Sequence, residues 1–146
     1  GIGSGQAILA AEALGAEGVQ IGTLFALAAE SSASDEYKRM CTSLNEGDTM
    51  LCLKKISPTR LVKNALYNKV AEAEAAGADA DTLRAIMGKA ASKRGIFEGD
   101  VENGEIEIGQ IASAIKSIDT VADIFARLDQ EYNERLSKIE TYARKD

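Results

Sequence analysis

Residues 18–21 read Gly-Val-Gln-Ile, a short apolar run set between two helix-like stretches. This run constrains the fold more than any other feature. Four extended residues cannot satisfy their own backbone groups, so a strand here needs neighbours. A strand with helices on both sides belongs to a parallel α/β sheet. The rest of the chain offers few strands to pair with it. The simplest expectation is that the 146 residues are the C-terminal part of something larger. The absence of an initiator Met suggests a processed, cleaved or engineered start.

The remaining periodicities are mostly helical. Gln6 to Leu14 predicts a helix with Ile8, Leu9 and Ala13 inward and Gly15 as its stop. Leu24 to Glu30 predicts another, and Ser34 can cap a helix running from Asp35 to about Leu44. Asn45 to Asp48 reads as a turn, and Thr49 to Ile56 as a strand. Ser57-Pro58 then looks like an N-cap and first helical residue. The helix it would start carries Leu61, Val62, Ala65, Leu66, Val70 and Ala73 and ends at Gly77. Asp81 can cap a further helix with Leu83, Ile86, Met87 and Ala90 inward. Glycines at 95, 99, 104 and 109 predict an ordered loop, followed by a helix over 110–118. A last long helix starts at Asp119 or Thr120, with Val121, Ile124, Phe125, Leu128, Tyr132, Leu136 and Ile139 on one stripe. That stripe suits packing on its own chain or a homo-oligomer contact.

Several function classes are excluded early. Histidine is absent, so this chain supplies no Ser-His-Asp triad, no Cys-His pair and no imidazole metal ligand. The formal net charge of −6 makes nucleic acid a poor partner. No run approaches the ~18 apolar residues of a membrane span. Cys41 and Cys52 are isolated and suit a reducing cytoplasm. The basic group Lys54, Lys55, Arg60 and Lys63 reads as solvated, or as a dock for an acidic carrier protein. The acidic group Glu98, Asp100, Glu102, Glu105 and Glu107 does not have EF-hand spacing and reads as solvent-exposed, with no metal site.

The first five residues, Gly-Ile-Gly-Ser-Gly, resemble a phosphate-gripping loop. A Walker loop would need Gly-Lys-Ser/Thr, which is missing. A dinucleotide fingerprint would need glycine where Gln6 stands, and an acid where Ile21-Gly22 falls. A third reading uses two glycine stations, Gly1 and Gly22, one helix and one strand apart. Successive steps of a (β/α)₈ barrel place two such loops side by side at the C-terminal face, where phosphate is commonly held. Glycine lets backbone N–H groups approach an anion, and no charged residue precedes Glu12. By pattern alone, these glycines serve equally well to make turns.

The stretch GIGSGQAILAAEALGAEGVQIGT, followed by Glu30-Ser31-Ser32-Ala33 and Tyr37-Lys38, resembles the FMN-dependent nitronate monooxygenases, formerly called 2-nitropropane dioxygenases. The flavin-containing enoyl-acyl-carrier-protein reductases are their near relatives. ISPTRLVKN and GIFEGDVENGEIEIGQIASAI are similar to the same group, in the same order. The resemblance implies an α/β fold, the C-terminal portion of a TIM-type (β/α)₈ barrel plus an added helical segment, mostly helical within this chain. Residues 1–45 would be the last βα units with the phosphate loops, and 46–146 the helical segment packed on the barrel. It implies FMN binding at Gly1, Gln20, Ile21, Gly22 and Thr23, and at Gln110. For Gly109-Gln110 a plain helix start is an equal reading. Partners would be a small-molecule substrate and the N-terminal half of the barrel, with no nucleic acid and no membrane. Leu24 stands where family members often carry Arg, and Ser34 where many carry His. The family's catalytic histidine lies upstream, so no catalytic residue is assigned here. The implied activity is oxidation of alkyl nitronates with O₂. Alternatives are NAD(P)H-dependent enoyl reduction and a non-enzymatic helical interaction domain.

Overall fold

In the computed structural model, residues 1–142 are described. The glycine loop leads into α1 (Gly5–Ala13), whose N-cap Ser4 accepts the Ala7 amide at 3.2 Å. Gly15, in the left-handed region at φ +96°, ends it. Leu9 is buried and Ile8 half-buried, but Ala13 is exposed. Residues 18–22 form no regular element and have no ladder partner, so the expected strand is not a strand within this chain. The reason is the one the sequence raises: its neighbours are not among the described residues.

The predicted helix at 24–30 shrinks to α2 (Thr23–Ala26), followed by a turn. Lys38, 3% exposed, holds that turn by donating from Nζ to the carbonyls of Ala29 and Ser31, each at 3.0 Å. Ser34 caps α3 (Asp35–Ser43) through the Tyr37 amide, as its position predicts.

β1 (Thr49–Cys52) is shorter than expected, because Leu53 turns the chain with φ +58°. The larger correction lies at Ser57-Pro58, which does not start a helix. Thr59–Val62 forms β2, antiparallel to β1, with Thr49 opposite Val62 and Cys52 opposite Thr59. β-Branched residues at both ends of Thr-Arg-Leu-Val suit a strand, and Pro is tolerated just before one. Leu61 and Val62 point to opposite faces, so the hairpin joins two cores. Residues 106–108 line the other edge of β2: the Val62 amide donates to the Ile106 carbonyl at 2.9 Å.

Asn64 is the true N-cap of α4 (Ala65–Ala75), taking the Tyr67 amide at 3.0 Å. Its amide nitrogen also donates to the carbonyls of Val101 and Gly104, tying α4 to the glycine-rich segment. Asp79, not Asp81, caps α5 (Ala80–Met87) through the Thr82 amide. Leu83 and Met87 are buried there, whereas Ala90 is exposed beyond the helix end.

Residues 93–97 form one π-helical turn rather than loop. Gly104 lies so close to Gly95 that a side chain at either would strike main chain. The glycines therefore permit a crossing of two segments, which is why this region is ordered. The helix expected over 110–118 is only a 3₁₀ turn, Gln110–Ala114. Thr120 caps α6 (Val121–Glu140). Ile124 and Leu128 of its stripe are buried, while Phe125 and Ile139 stay exposed.

One core gathers Leu24, Leu27, Tyr37, Cys41, Val62, Ile106, Ile124 and Leu128; the other gathers Leu53, Leu61, Val70, Leu83 and Met87 around α4 and α5. The first contains residues from both sides of position 45. Cys41 and Cys52 are free thiols in different cores. No helix among the described residues is long and apolar enough to cross a membrane.

Candidate functional site

The site begins at the glycine loop. A side chain at Gly3 would start 2.8 Å from Ile111 Cγ1, and one at Gly1 would start 3.4 Å from Ile111 Cγ2. The loop therefore lies directly on Ile111, at a distance only glycine permits at Gly3. At Gly5, α1 meets α6 main chain to main chain: a methyl there would strike the Leu128 carbonyl oxygen and the Tyr132 nitrogen. The Gly5 amide donates to the Glu131 carboxylate at 2.8 Å. Thus α6 clamps the loop from behind.

The second glycine station reaches the same segment through Thr23. The Gly109 amide donates to Thr23 Oγ1 at 3.2 Å, and a side chain at Gly109 would collide with that oxygen. Gly22 starts α2 with no side-chain cap, and Gly109 starts the 3₁₀ turn likewise. The amides of Thr23, Leu24, Gln110 and Ile111 donate to no group among the described residues. First-turn N–H groups left this way are suited to an anion.

Gly1, Gly22, Thr23 and Gln110 are thereby brought around one stretch, residues 109–111. Gln20 is exposed on the segment that feeds Gly22. The Ile21 side chain points elsewhere. With Ile8, Val19, Phe25, Phe125 and Leu128 it lines an apolar groove of about 440 Å³. Phe125, 60% exposed, stacks at 5.4 Å on Phe25 at the wall of this groove.

A depression of about 360 Å³ opens beside the glycine corner. Gly22, Thr23, Tyr37, Arg60, Glu107 and Gly109 line it. Arg60 and Tyr37 were not singled out by the glycine pattern. Arg60 lies on β2, well apart in sequence, within a run of cations that reads as solvated surface. Lys54, Lys55 and Lys63 are exposed, as that reading has it, but Arg60 is half-buried. The Tyr37 hydroxyl donates to the Glu107 carbonyl at 2.8 Å and so pins the strand that leads to Gly109. Burial pushes the Tyr37 phenol well above its usual range, with the neighbouring Cys41 adding to the effect. Burial likewise pushes the Cys41 thiol up to about 12. Both groups stay protonated at neutral pH, so neither is an activated nucleophile or base.

The acidic group at 98–107 does not gather. No cluster of three metal-ligating side chains occurs among the described residues. Glu98 pairs with Lys93 at 2.7 Å, and Glu105 accepts from Ser92.

Comparison with known proteins shows the family and the fold. The model of the family described as nitronate monooxygenase matches residues 1–131. The nitronate monooxygenase of Neurospora crassa is 28% identical over 98% of this chain and 39% of its own length. A probable nitronate monooxygenase of Staphylococcus saprophyticus is 38% identical over 49% of the chain and 21% of its own. Among solved structures, FabK from Thermotoga maritima superposes with a TM-score of 0.86 at 31% identity, over 97% of this chain and 45% of FabK. Nitroalkane oxidase from Streptomyces ansochromogenes gives 0.71 at 28% identity, over 94% and 39%. The chain thus spans less than half the length of these relatives. Its architecture is the C-terminal portion of a TIM-type barrel with an added helical segment. By the family match along nine-tenths of its sequence and the agreement of backbone, this chain belongs to the nitronate monooxygenase family.

Proposed function

We propose that this chain is the phosphate-holding C-terminal part of an FMN-dependent oxidoreductase that oxidises alkyl nitronates with O₂. The observation that carries the reading is that residues 109–111 touch both glycine stations at once, Gly3 through Ile111 and Thr23 through Gly109. The residues present fit a phosphate-bearing cofactor. Nothing stands within 4 Å of where a side chain would begin at Gly22, and unpaired amides flank it on two segments. The flavin, when bound, supplies the redox chemistry. Gly1, Gly22 and Thr23 would receive the phosphate through main-chain N–H groups, and Gln20, Ile21 and Gln110 would contribute main chain beside them rather than side chains. Tyr37 and Glu131 hold the supporting segments in place. The proton of the substrate goes to a base outside this chain, which has no histidine.

The rest of the barrel is the partner this reading requires. The unpaired run at 18–22 and the apolar groove beside Val19, Ile21 and Phe125 are surfaces that further barrel elements would cover. In this reading residues 1–45 supply the last βα units, residues from 46 onward form the added segment, and the protein works in the cytoplasm.

A second reading, NAD(P)H-dependent enoyl reduction on a carrier-bound chain, is kept because FabK gives a higher TM-score than the nitroalkane oxidase. The test uses the purified full-length protein. Flavin absorbance with nitronate-dependent oxygen uptake supports the first reading. Enoyl-thioester-dependent NAD(P)H oxidation supports the second, and a colourless protein that takes up no added FMN sinks both.

A further inference from the structure

We propose that the Arg60 guanidinium is the cationic contact for the flavin phosphate, an inference that rests on the flavin reading above. Arg60 stands on β2 and lines the same depression as Gly22, Thr23 and Gly109. One end of its fork is fixed: Nη1 donates to the Thr49 carbonyl at 3.3 Å and to Thr49 Oγ1 at 3.2 Å. Thr49 is itself buried on β1, so the guanidinium is oriented before any ligand arrives. Nη2 and Nε donate to no group among the described residues, and no carboxylate there lies within 4.0 Å of Arg60. Glu107 lines the depression too but forms no ion pair with it.

A half-buried guanidinium with two free donor sites is short of an acceptor. Phosphate matches the fork with two oxygens, which a lysine ammonium cannot do. Nothing stands within 4 Å of where a side chain would begin at Gly22, so the depression that Arg60 also lines is open on that side. Main-chain amides alone would leave most of a dianion's charge unneutralised, and Arg60 is the cation in the depression that can offset it.

The test is titration of the full-length apoprotein with FMN and, separately, with riboflavin, followed by quenching of flavin fluorescence. Arg60→Gln keeps a donor for Thr49 but discards the charge; Arg60→Met discards both. Both variants are expected to weaken FMN binding about 10-fold or more while leaving riboflavin binding unchanged. Arg60→Lys should recover part of the loss. If Arg60→Met does not fold, shown by the circular dichroism of the apoprotein, Arg60→Gln alone decides. A variant that binds FMN as tightly as the wild type, where the wild type still prefers FMN to riboflavin, overturns the role of Arg60. A wild type that binds neither flavin, or binds both equally, overturns the flavin-phosphate reading itself.

Discussion

Replacing Gly5 with alanine tests how α6 holds the glycine loop. The added methyl would strike the Leu128 carbonyl oxygen and the Tyr132 nitrogen, both main-chain atoms of a 20-residue helix. Neither can move aside by changing rotamer, so α1 and α6 must separate. Overpacking of this kind costs ~1–3 kcal/mol, and rigid obstacles put it at the upper end. Separation also stretches the 2.8 Å bond from the Gly5 amide to the Glu131 carboxylate, a charge-assisted bond of ~1.5 kcal/mol or more. Against this stands the better helix propensity of alanine, at most ~1 kcal/mol. The net expectation is a loss of about 3 kcal/mol, read as a fall of about 1 M in the urea midpoint of the full-length protein. Gly18→Ala and Gly22→Ala are the controls, since a methyl at either meets nothing within 4 Å. Equal midpoints for Gly5→Ala and Gly18→Ala would refute the clamp.

Further consequences can be checked in the same protein. Lys38→Met should lower stability by ~2–4 kcal/mol in urea unfolding, because it strands the Ala29 and Ser31 carbonyls. Asn64→Ala removes the α4 N-cap bond and the two hydrogen bonds that join α4 to the 101–104 segment, and should cost a similar ~2–4 kcal/mol by the same assay. Neither thiol should react with Ellman's reagent at pH 8 in the folded protein, because burial pushes Cys41 up to about 12 and Cys52 up to about 11. The sign for stability follows: the folded state favours the protonated thiols. Their contribution is whole below the unfolded thiol value of ~8.5 and falls away as pH rises through the folded values. Tyr37→Phe, which frees the Glu107 carbonyl beside the phosphate corner, should weaken FMN binding a few-fold and riboflavin binding less, read in the same fluorescence titrations.

Helix starts with a polar side chain were legible: Ser34 and Thr120 cap where the sequence predicts, and Gly15 and Gly77 end helices. The hairpin was not, because Leu61, Val62, Ala65 and Leu66 fit helical spacing as well as they fit a strand followed by a helix. Only pairing with Thr49–Cys52 separates the two cases, and pairing is a long-range fact. Val19 and Ile21 look like strand residues but have no ladder here, so their period is legible and their partners are not. In the site, the glycines announce themselves through their rarity of backbone constraint. Arg60 does not, since one cation among four carries no mark of which is half-buried. Tyr37 likewise reads as a helix residue until its hydroxyl is seen on Glu107.

We infer that a single anion is held at the corner where Gly1–Gly3, Gly22–Thr23 and Gly109–Ile111 meet. The most direct measurement is a crystal structure of the full-length protein with FMN bound. The account predicts phosphate oxygens within hydrogen-bonding reach, roughly 3 Å, of main-chain nitrogens at both glycine stations. A phosphate bound away from these segments, with the same corner filled by side chains, would contradict it.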